Sequence, residues 1–344
     1  MRRLLLGAVL LILACGGAAT LPAPSQSLPT RTSAATAKID VTDMMGAFPA
    51  ATFFVVTDEG VKGLALLNHV TKYTIPTSGA VQVASGNNQI YIADDISEGT
   101  RLRRIDQASG TVLASWMERS RWLVTTGIGH GALAVEPTTG RLLALYADGH
   151  RRTVEAYEPY SLRPLGERLD ASCGDRLLAA ADRVVVPCFT DGTLIIKDGS
   201  DARVVHAGLG TLVAAAMSNE GTTLVGRADG TLARIPPARV TVEKIDPFGP
   251  GRLVADGIAA SDAQSFAIAL GTGDMRLSVS ESRSGRRYLS FPNKEAPVGG
   301  LLAQGQFAFW STGNEARHID LIQGFVETMA TFSGTRVRPG AIGQ

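Results

Sequence analysis

One recurring unit constrains the fold of this 344-residue chain more than any other feature. A run of β-branched and aromatic residues ends in a small residue, an acidic or glycine turn follows, and a second run begins. The turns are Thr57-Asp58-Glu59-Gly60, Ala93-Asp94-Asp95, Ala147-Asp148-Gly149, Thr190-Asp191-Gly192, Ala228-Asp229-Gly230, Thr272-Gly273-Asp274 and Thr312-Gly313-Asn314. Taking 58, 94, 148, 191, 229, 274 and 314 as markers, the steps are 36, 54, 43, 38, 45 and 40 residues, with a mean of about 43. Asp-Gly and Gly-Asp between alternating runs favour hairpins, because these residues tolerate the positive φ of tight turns.

A period of about 40 to 45 residues with four short strands per unit is the pattern of a β-propeller. One unit divides into Ala80 to Ala84, Gln89 to Ala93, Arg101 to Asp106 and Thr111 to Met117. Another divides into Leu212 to Met217, Thr222 to Arg227, Gly230 to Ile235 and Arg239 to Ile245. First strands are rich in Ala, as in Ala214-Ala215-Ala216 and Ile258-Ala259-Ala260, which suits strands crowded around an axis. Helical solenoids share such periods but need apolar spacing at 3.6, whereas these runs are short, two-periodic and broken by 38 glycines. The expected fold is all-β: a single seven-bladed β-propeller of four-stranded blades over residues 51–344, with negligible helix. The first unit lacks an inner strand before Ala51, and Arg338-Pro339-Gly340-Ala341-Ile342 resembles the starts of other inner strands. The C-terminus is therefore expected to close the ring, with Lys38 to Thr42 as the competing donor.

The first fifty residues carry an address. Arg2 and Arg3 precede an eleven-residue apolar run, Leu4 to Ala14, which has signal-peptide length and is too short to span a bilayer. Ile12-Leu13-Ala14-Cys15 resembles a bacterial lipobox, whose Cys is acylated after cleavage. The alternative is an ordinary signal cleaved near Ala18-Ala19. The Arg pair also loosely fits a twin-arginine signal, but so apolar a run argues for the general secretory route. Residues 16 to 37 are almost entirely Gly, Ala, Ser, Thr and Pro, a composition that buries little and reads as a tether. The expected organisation is a lipoprotein signal peptide at 1–14, a lipidated Cys15 with a flexible tether at 15–50, and the propeller thereafter. An exported, membrane-anchored protein on the periplasmic or cell-surface side follows.

Composition excludes several classes. With 33 Lys+Arg against 32 Asp+Glu, the basic footprint of a nucleic-acid binder is absent, and no nucleic-acid partner is expected. A mean hydropathy of +0.11 comes from many short Ala/Val/Leu runs and not from a second spanning segment. If Cys15 carries lipid, Cys173 and Cys188 remain in a compartment that permits disulfides. They flank a hairpin, and a constant pairing sum would centre its turn between Ala180 and Ala181. One bridge is expected; the alternative is two buried thiols.

Ile90-Tyr91-Ile92-Ala93 followed by Ile105-Asp106-Gln107-Ala108-Ser109-Gly110-Thr111-Val112 resembles the bacterial propeller repeat named for its Tyr-Val-Thr-Asn motif. Its second half, continuing to Trp116, is also similar to the repeat of quinoprotein propellers. The resemblance implies the fold over 51–342 and carries no activity with it.

No nucleophile elbow, phosphate loop, dinucleotide fingerprint or His-Glu-x-x-His helix is present. The five His, at 69, 130, 150, 206 and 318, are scattered, so no catalytic residue, metal ligand or cofactor is assigned. Topology puts the acidic turns and the loops leading into the inner strands on one face. The longest such loop, Glu118 to Gly131, accounts for the 54-residue step and contains Arg119, Arg121, Trp122 and His130. Long loops on rigid scaffolds commonly carry binding. The candidate binding set is therefore Glu118, Arg119, Arg121, Trp122 and His130, with Asp94, Asp95, Asp148, Asp191 and Asp229 around it. Asp94, Asp95 and Glu98 suit either a hard cation or a charged hairpin tip. The expected function is a non-enzymatic, monomeric scaffold that binds a protein, peptide or glycan. The alternatives are a metal-dependent, lactonase-like propeller hydrolase or lyase, and a quinoprotein-like oxidoreductase.

Overall fold

The computed structural model describes residues 52–343, apart from 66–67, 127, 238–240, 246–252, 262–265, 272–275, 282–286, 293–298, 305–306 and 321–324. Cys15, the tether, the competing closing segment at 38–42 and the turn marker Asp274 lie outside the described residues.

Strands account for all the regular structure described. Six sheets have four strands and one has five. Their innermost strands are Val81–Gly86, Leu133–Val135, Leu178–Ala180, Ala214–Met217, Leu253–Ser261, Gly299–Gln304 and Arg338–Gly343. Each lies against the next and the last lies against the first, so the sheets close into a β-propeller ring. Burial follows position within a sheet. Second strands such as Thr52–Thr57 and Arg183–Cys188 are buried along their whole length, because both faces pack against neighbouring sheets. Outer strands such as Pro164–Asp170 and Asp201–His206 are mostly exposed. Among the described residues no helix is long and apolar enough to cross a membrane.

The expectation of seven four-stranded blades is corrected: there are six, and the sheet spanning 122–170 departs from the pattern. Its second strand, Leu142–Asp148, pairs with two inner segments, Trp122–Leu123 and Leu133–Val135. The ladder runs nearly unbroken across them. Val124 N donates to Leu145 O at 3.0 Å, and Leu145 N donates to Ala132 O at 2.8 Å. Residues 125–126 and 128–131 are thus extruded from an inner strand rather than standing before it. The physical reason is that Trp122–Leu123 extends the ladder upward while the chain between makes an excursion.

The C-terminal strand closes the ring. Arg338–Gly343 pairs antiparallel with Thr52–Thr57, from Thr52↔Gly343 to Val56↔Arg338. At this seam Phe53 stacks on Phe309 with ring centroids 4.4 Å apart, among Val55, Leu64, Met329 and Val337.

Two local expectations shift. The strand carrying Asp94 runs Gln89–Ile96, so Asp94 and Asp95 are ladder residues opposite Arg101 and Thr100, and not a hairpin tip. The turn falls at 97–98 and closes on Gly99. Gly99 has φ 140°, and a Cβ there would lie 2.1 Å from Glu118 O, so no other residue fits. The Cys173–Cys188 disulfide is present, with Cα atoms 5.2 Å apart. Its hairpin register differs from the expectation: Ala180 pairs with Arg183, which moves the turn to Ala181-Asp182. A tight turn absorbs the slip, with Gly174 N donating to Ala171 O at 2.7 Å and Asp175 N to Pro187 O at 2.9 Å.

Candidate functional site at the ring axis

Innermost strands begin on one face of the ring, here the leading face, and end on the trailing face. The small residues that let them converge leave an axial cavity of about 270 Å³. Ala84, Ala134, Ala179, Ala260, Ala303 and Ala341 line it from six sheets. Ser85, His130 and Asn219 are its polar side chains, and no carboxylate, Lys or Arg contributes to the described lining.

The extruded loop crosses the leading end of this cavity. An insertion in a strand that borders the axis has only the axis to fill. Gln82 holds it: its amide Nε2 donates to Thr126 Oγ1 at 2.9 Å and to Ile128 O at 2.8 Å, and its Oε1 accepts from Ala132 N at 3.0 Å. Val83 N donates to Gly129 O at 2.7 Å. A Cβ on Gly129 would lie 2.5 Å from Pro339 O, so the loop reaches the closing strand only because that residue is glycine. His130 Nδ1 lies 3.2 Å from Pro339 O. Arg176, just before the inner strand Leu178–Ala180, donates through Nη1 to His130 O at 3.0 Å and through Nε to Asp256 Oδ1, on the inner strand Leu253–Ser261, at 2.9 Å. The plug therefore ties together residues from opposite sides of the ring.

Burial and the nearby Arg176 cation hold the His130 imidazole down to about 3, against a weaker upward pull from the Pro339 carbonyl. His130 is accordingly neutral through the physiological range. The unfolded chain takes up a proton there below about pH 6.5, so stability falls as pH drops through that value toward 3. We expect the His130 ring resonances to stay unshifted between pH 8 and pH 5 in a proton NMR titration. A midpoint near 6 would show that the plug does not enclose the ring.

The sequence-based candidates divide into two groups. Arg121 points into the protein: it pairs with the buried Glu155, donates to Thr153 Oγ1 at 2.7 Å, and lies over the Tyr146 ring at 4.3 Å. Glu118 accepts from Trp116 Nε1 at 3.2 Å and Tyr157 Oη at 3.1 Å. Asp94 is fully buried between Arg101 and Arg103. Asp95 accepts from Thr100 Oγ1 at 2.6 Å, and burial raises its carboxyl above the usual range. These four are taken up by ion pairs and hydrogen bonds within and between sheets. Trp122 and Arg119 stay exposed, with Trp122 at 43 % and its Nε1 3.4 Å from Ile96 O. Asp148 is exposed at its turn. Asp191 and Asp229 cap theirs by accepting from Thr193 N at 2.8 Å and Thr231 N at 3.0 Å, which lowers both carboxyls. The structure brings His130 to the axis and leaves the acidic residues dispersed. Gln82, Arg176 and Asp256, which build the plug, were not among the candidates. Arg176 stands two residues before Leu178, where its inner-strand pairing opens, and Asp256 two residues before Ile258, where pairing resumes after a register shift, and that shared spacing is the signal that could have found them.

No family model matches the chain, and no curated protein matches it. Solved structures do. The WD40 repeats of RRP9 align with a TM-score of 0.59 at 12% identity, covering 85% of this chain and 95% of that one. Apo AztD from Citrobacter koseri gives 0.56 at 12% identity, covering 85% and 97%. Hsv2 of Kluyveromyces lactis gives 0.55 at 10%, covering 80% and 93%. At these identities the likeness establishes the fold alone: the chain is a β-propeller, in a shape shared by WD40 repeats and by a bacterial protein.

Proposed function

We propose that this chain is an exported, lipid-anchored propeller that binds a protein, peptide or glycan outside the cytoplasm and performs no chemistry on it. The observation that carries the reading is the make-up of the axis. A lactonase-like hydrolase would need carboxylates and imidazoles converging on the cavity. Here the described walls are mostly aliphatic, with Ser85, His130 and Asn219 as the polar side chains and no carboxylate, the His130 Nδ1 is engaged with Pro339 O, and Asp256, which joins the plug, is held by Arg176. The Cys173–Cys188 bridge supports export, since such bonds persist in oxidising compartments. The lipobox-like Ile12-Leu13-Ala14-Cys15 and the tether behind it support the anchor. On the leading face, Trp122 offers a partly exposed aromatic beside Arg119, the residue types that dominate many interfaces.

Fractionation with cross-linking tests both halves. The native chain should sediment with membranes, and Cys15→Ser should move it to the soluble fraction. A photoreactive residue at Trp122 should yield a discrete adduct in intact cells, while one at the exposed outer-strand Val204 should not. Unchanged sedimentation of Cys15→Ser, or equal adducts at both positions, would count against the reading.

A further inference from the structure

At the seam where the ring closes, three side chains from distant parts of the sequence converge away from the axis. His69 lies in the connection between strands Gly60–Ala65 and Thr71–Ile75 of the first sheet. His318 and Glu327 sit on paired strands of the last sheet, directly opposite each other. One ligand atom from each falls within 4.8 Å of the others. His318 Nε2 is 3.4 Å from Glu327 Oε2, and His69 Nε2 is 3.9 Å from the same oxygen. The two imidazoles meet edge to face with centroids 5.2 Å apart.

Two imidazoles and a carboxylate form a donor set suited to a borderline-soft divalent cation. Nitrogen and oxygen ligands held tetrahedrally at about 2.0 to 2.1 Å stand about 3.3 Å from one another. The His318–Glu327 separation already fits. The other gaps close by rotation of His69, which sits in a connection and is one-quarter exposed, and of Glu327, which is two-fifths exposed. His318 is the fixed member. Its side chain is 8 % exposed, it packs on Phe307 and Phe309, and its Nδ1 is buried with no hydrogen-bond partner. His69 itself adopts φ 59°, a left-handed conformation that costs a non-glycine residue free energy and places the ring against the neighbouring sheet.

We propose that His69, His318 and Glu327 bind one zinc-class divalent cation, with a fourth position open to water, and that this ion clasps the first sheet to the last. The chain passes from the last sheet into the closing strand Arg338–Gly343, so the ligands join the N-terminal strands of the first sheet, through His69, to the C-terminal part of the chain. A cation there adds a link beside the Thr52–Gly343 ladder and the Phe53–Phe309 stack. The partial exposure of His69 and Glu327 gives the ion a path from solvent.

The test uses the full-length Cys15→Ser chain, stripped with chelator and titrated with zinc chloride by calorimetry, with metal content read after gel filtration. We expect one zinc per chain and a rise in the thermal midpoint. His69→Asn keeps the left-handed backbone accessible, and Glu327→Gln keeps the shape. Each should weaken binding at least tenfold and abolish the midpoint shift while leaving the metal-free midpoint close to the parent. His206→Asn, at an exposed His beside Thr193, should bind as the parent does. No stoichiometric zinc, or equal binding by the His69→Asn and Glu327→Gln chains, overturns the proposal and leaves the cluster as a His–Glu contact. Loss of binding in His206→Asn alone would overturn it equally.

Discussion

Asp94→Ala should destabilise the folded ring by about 3 to 5 kcal/mol, the usual cost of leaving a buried charge unpaired. Asp94 is wholly inaccessible to solvent. Its carboxylate accepts from Arg101 Nη2 at 2.6 Å, Arg103 Nη2 at 3.1 Å and Ser78 N at 3.2 Å. The two arginines respond differently to its loss. The Arg101 side chain is 34 % exposed and can turn into water, whereas that of Arg103 is 8 % exposed and keeps only the Pro76 carbonyl, at 3.0 Å. The stranded Arg103 cation sets the cost. Removing both ends, as Asp94→Leu with Arg103→Met, should therefore cost less than Asp94→Ala alone. Urea unfolding of the three chains measures this. If the double variant is the least stable of them, the loss comes from packing and the ion-pair account is wrong.

Breaking the Cys173–Cys188 bond should cost about 3 kcal/mol in the chain-entropy description, given the sequence separation of 15. The effect should also reach the axis. The bridge fixes the turn that presents Asp175 and Arg176. Asp175 accepts from Phe189 N at 2.6 Å and pairs with Arg152 at 2.6 Å, and Arg176 clamps the plug through the His130 carbonyl. In Cys173→Ala/Cys188→Ala we expect a lower urea midpoint that no longer responds to reductant. Amide exchange should quicken at 171–177 and, through Arg176, at 128–131. Acceleration confined to 171–177 would separate the bridge from the plug.

Much of the scaffold was legible because it is written locally. A run such as Leu212 to Met217 ends at turn residues whose φ preferences hold in any context, and the structure places its strand at Ala214–Met217. Closure by Arg338–Gly343 was legible too, since the first unit visibly lacked a strand. The site was less so, because its contacts cross the ring. Arg121 meets Glu155 at a separation of 34 residues, and Arg176 meets Asp256 at a separation of 80 residues. No spacing rule encodes such pairs. Asp94-Asp95 read as a hairpin tip because acidic pairs favour turns, yet Gly99 fixes the register and draws both into the ladder. The long loop read as a projection because length suggests exposure. Its two anchoring segments instead share one partner strand, which forces the chain between them toward the axis. The His69–His318 approach depends on the first and last sheets meeting, so it exists only once the ring does.

That dependence also orders the life of the molecule. A chain that emerges from its N-terminus first makes Thr52–Thr57 early and must wait for Arg338–Gly343, its partner at the other end of the domain. Until then the first sheet has an unpaired edge and the Phe53 face has nothing to stack on. The ring cannot shut while the chain is still growing through the domain, because the strand that latches it follows all the others. Synthesis and closure are thus kept in sequence by strand order, and the half-made ring with its open edge is the form that precedes the finished fold.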